Sequence, residues 1–336
     1  MRGVAICIMV PANMAPMLRE PHPWDLRLVF SLAAPIFVIV AGMMVGMTAP
    51  RHGLGHYLGR GALIVLSGAF VDVAVWRSLP LTYFDILYLI GFSLPLAYLA
   101  SRLSSKWIAA ICVLIFALTP ALQHLMGYTN TPPSYDLDGA MSTDPALVTT
   151  GLLNHVVIDG YFPLFPWTGM MLLGLLLARL HWSDPASAQR WRNEQALRLA
   201  LGLVIVGAIV WRIWPGRLLE REGYGEMFYE PTIGFVLTAS GCTLLVYWAC
   251  WRSRASALWS PVRVLGEFSL FMYVFHLLVI GEAIETVWDT GEAGGWRFTL
   301  LWAPLLAAMV LIGYALHFIK ARRRPKSYAA RFVLGG

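Results

Sequence analysis

Three stretches of this chain, residues 28–48, 107–126 and 231–251, contain no Asp, Glu, Lys or Arg. About 20 apolar residues in a helix are what it takes to cross a hydrocarbon core about 30 Å thick. The chain is therefore expected to be an all-α, polytopic integral membrane protein. Its charged fraction agrees, 13% against about 25% in soluble domains, and the 14 Trp and 13 Tyr suit the aromatic belts at membrane interfaces.

Apolar runs set against charged breaks predict about ten transmembrane helices. They fall near residues 3–18, 28–48, 61–78, 84–101, 107–126, 164–181, 197–214, 231–251, 264–283 and 297–319. They form one membrane domain over 1–320, followed by a basic tail at 321–336. The first span starts almost at Met1, and this abrupt start reads as a shortened N-terminus. The net charge of +6 is spread over alternate loops, which excludes a nucleic-acid surface and follows the positive-inside rule. Arg51 and Arg60, Arg102 and Lys106, Arg179 to Arg198, Arg252 to Arg263 and the tail would be cytoplasmic, so both termini are expected inside. Most acids, from Asp136 to Glu230, fall in the opposite loops. The longest of these, 127–163, is rich in Pro, Ser, Thr and Asp, and ends in an aromatic stretch, 159–167, that reads as a lid or re-entrant turn. Cys7, Cys112, Cys242 and Cys250 sit in apolar runs and read as small hydrophobes.

Ionisable groups within spans cost about 2.5–3.5 kcal/mol each on insertion scales, so they face a cavity or a partner. Asp72, Asp85, His276 and Glu282 all fall in the outer halves of their spans. His22 and Asp159 lie at the same level, which points to one polar cavity opening outward. His22 is the candidate chemical group, since an imidazole takes and returns a proton near neutral pH; the local sequence alone favours a solvated loop histidine. Tyr273 and His276 share a helix face and read as substrate contacts or as an interhelical hydrogen bond. Asp85 reads as a substrate contact or a helix N-cap, and Trp167 as a substrate contact closing the aromatic turn. Arg51 and Arg60, interleaved with Gly53, Gly55 and Gly59, suit a phosphate group, although basic residues are expected in an inner loop on topology alone. No nucleotide-binding, zinc or serine-hydrolase motif is present, so no metal or tightly bound cofactor is expected.

Arg2-Gly3-Val4-Ala5-Ile6 with Asn13, then His22, then Leu28-Val29-Phe30 with Gly42, resembles the start of the heparan-α-glucosaminide N-acetyltransferase catalytic-domain family. Tyr83-Phe84-Asp85-Ile86-Leu87, Phe162-Pro163-Leu164-Phe165-Pro166-Trp167 with Gly174, and Leu265-Gly266 through His276 extend the resemblance along the chain. It implies a membrane-bound acetyltransferase that takes an acetyl group from cytoplasmic acetyl-CoA. The acceptor would be an amino or hydroxyl group of a sugar or glycan on the far side of the bilayer. It also implies that His22 is the catalytic histidine and that Asn13 lies in the active site, with homodimers known in the family. Glu267 stands where the family has an arginine. The sugar O-acetylases of the acyltransferase-3 type share the arrangement, and a proton-coupled small-solute transporter is the reading from a different class.

Overall fold

The computed structural model of the chain describes residues 1–128, 151–182, 194–253, 256–285, 291 and 293–322. Most of the long outer loop, the inner-loop residues Arg190, Arg192 and Arg254, and the tail from 323 lie outside the described residues. Among the described residues the protein is helical, with no strand.

Among those residues six helices are long and apolar enough to cross a membrane, or up to eight if each of two bent pairs is one span. The expected ten are not reached, because the first and fourth runs fall short. α1 (Arg2–Ala12) carries Pro11 in its last turn and is capped by Asn13; Pro16 then opens a 3-10 turn, Ala15–Met17. α5 (Ile86–Ala100) starts only after the loop 76–85, in which Arg77, Leu81 and Phe84 have left-handed backbone. That conformation is uncommon outside glycine and persists only where neighbours impose it. Here Asp72 is the neighbour: its carboxylate accepts from the Leu81 N–H at 3.0 Å and from the Tyr88 hydroxyl at 2.5 Å.

The described chain divides into two compact units. The first comprises Met1–Ile36, Glu220–Met227 and everything from Ala249 onward. In it α1 packs on α10 (Ser260–Glu267), which also meets α12 (Gly295–Arg322). The crossing is close enough that a Cβ on Gly3 would come within 1.8 Å of the Val262 carbonyl oxygen, and one on Gly266 within 2.7 Å of the Gly3 nitrogen. The Arg-Gly and Leu-Gly motifs near opposite ends of the chain are thus two sides of one helix contact. Phe268 leaves helical geometry, and α11 (Ser269–Val279) turns away from α10, the pair bending by 78°.

The start of this unit is shaped by prolines. Pro23 N-caps α2 (Trp24–Phe30), and Asp25 sits in its first turn, where a negative charge favours the helix dipole. Ser31 then bonds back to the Arg27 carbonyl at 2.6 Å, a contact that loosens helices. α3 (Ala33–Thr48) follows at once, making one 25-residue apolar segment from Trp24.

The second unit comprises Phe37–Leu219 and Phe228–Trp248. It contains most of α3, then α4 (Leu54–Ala74), α5, α6 (Ser105–Met126), α7 (Leu164–Trp182), α8 (Ala196–Ile213) and most of α9 (Ile233–Arg252). α3 and α7 touch backbone to backbone: a Cβ on Gly42 would meet the Met171 carbonyl oxygen at 1.8 Å, and one on Gly174 that of Ile39 at 1.9 Å. Small residues at such crossings let helices associate where lipid gives no hydrophobic drive. α4 packs on α5 and α6 on α7.

Candidate active site

His22 lies in the turn between α1 and α2, and three backbone hydrogen bonds stitch that turn down. Gly291 donates to Pro16, Ala293 to Met17, and Arg19 to Ala293, at 2.9–3.0 Å. The imidazole is buried, 8% exposed, so it is not the solvated loop histidine that its local sequence alone favoured. Its Nε2–H donates to the Leu18 carbonyl at 3.3 Å. A carbonyl only accepts, so in the neutral ring Nδ1 carries the lone pair, and Nδ1 has no partner among the described residues. A buried imidazole oriented through one nitrogen and unpartnered at the other is the arrangement a general base requires.

The segment Glu220–Met227 covers this ring. Arg27 reaches it with Nε donating to the Gly225 carbonyl at 2.7 Å and a guanidinium nitrogen 3.1 Å from Glu220. The Met227 N–H donates to the Ser31 hydroxyl at 2.7 Å. Gly225 lies so close that a Cβ there would be 2.6 Å from His22 Nδ1. Only glycine at 225 leaves that nitrogen room.

Asn13 and His276, 263 residues apart, are joined in the same unit, with Asn13 Nδ2 2.8 Å from His276 Nε2. His276 Nδ1 is 3.0 Å from the Met272 carbonyl, which accepts and so places the proton on Nδ1. Nε2 therefore accepts from the Asn13 amide, and the three groups form one directed chain. His276 is fully buried, and Tyr273 packs on it edge to face with ring centroids 5.3 Å apart. The amide has two N–H donors, of which His276 takes one. The interhelical hydrogen bond weighed for His276 exists, and its partner is the active-site asparagine of the resemblance. His22 shares no hydrogen bond with Asn13 or His276 among the described residues.

The remaining site residues belong to the second unit. Asp85 N-caps α5 through its carbonyl, which accepts from Tyr88 and Leu89, while its carboxylate makes no capping hydrogen bond. Its segment is tied to the aromatic turn, because Tyr161 donates to the Tyr83 carbonyl at 2.9 Å and Phe162 to that of Phe84 at 3.1 Å. Trp167 is fully buried among Phe162, Phe228 and Phe235, with no partner for its indole N–H among the described residues. Arg51 is exposed on the short connection between α3 and α4, and Arg60, placed on that hinge by the sequence, is half-exposed in the second turn of α4. Gly53, Gly55 and Gly59 there have open space where side chains would stand, and His52 and His56 stack at 4.1 Å.

One pair escaped the sequence reading. His155 Nδ1 lies 2.9 Å from Asp159 Oδ1, both buried, within a π-helical turn, His155–Asp159. Such turns recur at functional sites. The i, i+4 spacing of a histidine and an aspartate was the available signal, hidden because the stretch looked like loop. Among the described residues no group of His, Cys, Asp and Glu could hold a metal ion.

The sequence profile described as heparan-alpha-glucosaminide N-acetyltransferase, catalytic, matches residues 1–214. That range takes in Asn13, His22, Arg51, Arg60, Asp85 and Trp167, and leaves Tyr273 and His276 beyond it. No curated protein matches the chain.

Proposed function

This chain belongs to the heparan-alpha-glucosaminide N-acetyltransferase catalytic family, and on that premise we propose that it moves an acetyl group from cytoplasmic acetyl-CoA to an acceptor on the far side of the membrane. The family supports a transmembrane acetyltransferase; donor, acceptor and sidedness are our reading. The acceptor is an amino or hydroxyl group of a sugar-like molecule, and both termini are cytoplasmic. Arg51 and Arg60 hold the phosphates of the nucleotide at the inner face, where a guanidinium fork suits phosphate oxygens. Tyr273 and His276 are proposed as substrate contacts in the first unit, and Asp85 and Trp167 as substrate contacts in the second.

In the step itself, His22 Nδ1 takes the proton from the acceptor as its nitrogen or oxygen bonds to the acetyl carbon. The C–S bond of the thioester breaks, and the proton passes to the departing CoA sulfur. Asn13, its amide fixed by His276, donates its second N–H to the oxyanion that develops on the carbonyl oxygen. Transient acetylation of His22 itself is the covalent form of the same chemistry.

The observation that carries this reading is His22: a buried ring with Nε2–H held by Leu18 and Nδ1 unpartnered among the described residues. The test is His22→Ala, assayed with radiolabelled acetyl-CoA in proteoliposomes. Loss of a general base costs about 10²–10⁴-fold in turnover; undiminished transfer removes His22 from the mechanism.

A further inference from the structure

A groove of about 540 Å³ runs along the first unit beside the histidine turn. Its walls come from α1, α2 and the first turns of α12, with Pro11, Leu26, Val29, Phe298 and Trp302 among the lining side chains. Glu20, Pro21 and Pro23, which bracket His22, line it as well. From Gly295 to Trp302 the groove descends about 10 Å along α12, at 1.5 Å per residue.

Among the described lining residues, its charges stand at the upper end only. Arg19 and Glu20 both line the groove and are exposed. Neither side chain has an ion pair among the described residues, Arg19 being held by its backbone N–H to Ala293. An unpaired cation and an unpaired anion above an apolar slot complement a ligand with a phosphate, an ammonium and a hydrocarbon tail. A phosphate alone would be repelled by Glu20, and an amine alone by Arg19.

We propose that this groove binds a phospholipid with a primary amine in its headgroup, the tail between α1, α2 and α12, the phosphate at Arg19 and the ammonium at Glu20. Resting on the transferase reading, the same seat presents the amine to the turn that carries His22, so that an aminophospholipid is an acceptor class. The ammonium first gives one proton to the Glu20 carboxylate. The free amine then loses a second to His22, which passes it to the CoA sulfur, as the nitrogen bonds to the acetyl carbon. The C–S bond breaks, and an N-acetylated lipid and CoA thiol leave.

The full chain is reconstituted in phosphatidylcholine vesicles doped with phosphatidylethanolamine bearing a photoreactive group in mid-chain, then irradiated, and adducts are mapped by peptide mass spectrometry. The expected adducts fall on Leu26, Val29, Phe298 and Trp302, and drop about tenfold in Arg19→Glu. Gly294→Trp should block them too, since a Cβ at 294 meets nothing within 4 Å and the indole fills the mouth. Equal labelling by phosphatidylglycerol, or adducts on the outer helix faces with none in the groove, overturns the site. Radiolabelled acetyl-CoA then separates the two claims. Label in the lipid extract as an amide supports the acceptor class, and label on added glucosamine but never on lipid overturns it. Transfer to neither, with the groove adducts intact, sinks the transferase reading and leaves the lipid site standing.

Discussion

His276 in the first unit and His155 in the second are both fully buried, and both are fixed through Nδ1. What holds the far side of each pair differs. His155 is tied to a carboxylate four residues on, inside its own helical turn. His276 uses its own helix for Nδ1 and accepts with Nε2 from Asn13, 263 positions away. The first pair closes within one turn of chain and steadies that turn. The second exists only once α1 and α11 have docked, and it orients an amide that has a further N–H to give. A buried histidine is thus a fixture in one unit and an aiming device in the other, and its partner decides which.

The comparison is broken most decisively by taking the ring from each pair. His155→Ala leaves the Asp159 carboxylate buried without its histidine, and a buried acceptor that loses its partner costs about 1–3 kcal/mol, more where it is charged. The expected result is a large fall in the thermal midpoint in detergent, with acetyl transfer per folded molecule nearly unchanged. A stable variant that has lost transfer would move His155 from scaffold to chemistry. Asn13→Ala should do the reverse. Loss of one oxyanion donor lowers turnover about 10²–10³-fold with a small change in midpoint. If Asn13 acts through its bond to His276, the double variant with His276→Ala falls short of the product of the two single losses; additive losses would mean that the hydrogen bond aims nothing.

The class of fold was legible because membrane spanning is written in composition and in charge-free runs such as 231–251. The number of spans was not, because apolar length and helical length part company wherever a bend or a loop intervenes. Pro16 cuts the first run and Phe268 breaks the ninth, while the fourth helix cannot start until the loop held by Asp72 is finished. Of the site, Asn13 came from a resemblance alone, while His22 stood out by its level among the intramembrane carboxylates and needed the resemblance to be favoured over a solvated loop histidine. The bond between Asn13 and His276 was invisible, as contacts across 263 residues have no spacing rule. The His155–Asp159 pair had such a rule and was missed beside residues that read as an unstructured loop. Gly225 was silent for a simpler cause, since a glycine has no side chain to suggest what it lies against.

That glycine gives a sharper test of whether His22 needs an open nitrogen or only a buried place. Gly225→Ala puts a methyl carbon 2.6 Å from Nδ1, inside any real contact distance, so ring or loop has to shift. A displacement of about 1 Å at a reacting group costs up to 10²-fold. With part of the strain relieved by the loop, transfer should fall about tenfold while the midpoint holds. Unchanged transfer would show that Nδ1 is not the working atom.

The smallest effect is expected from loosening the same segment without filling space. Arg27 holds it through two contacts made by one planar guanidinium, to the Gly225 carbonyl and to Glu220. Arg27→Lys keeps the charge and removes the fork, and a single ammonium cannot serve both acceptors in their present geometry. The pair with Glu220 is partly exposed, with side chains 16% and 27% accessible, so its own share of stability is about 1 kcal/mol or less. What the lysine forfeits is the bond to the Gly225 carbonyl, hence the register of the cover over His22. Transfer should drop about two- to fivefold, within what a net loss near 1 kcal/mol allows, and Arg27→Ala should do worse than Arg27→Lys. Equal activity in all three proteins would mean that contacts other than those of Arg27, the Met227–Ser31 bond among them, hold the cover, and that the register set by Arg27 does not aim the imidazole.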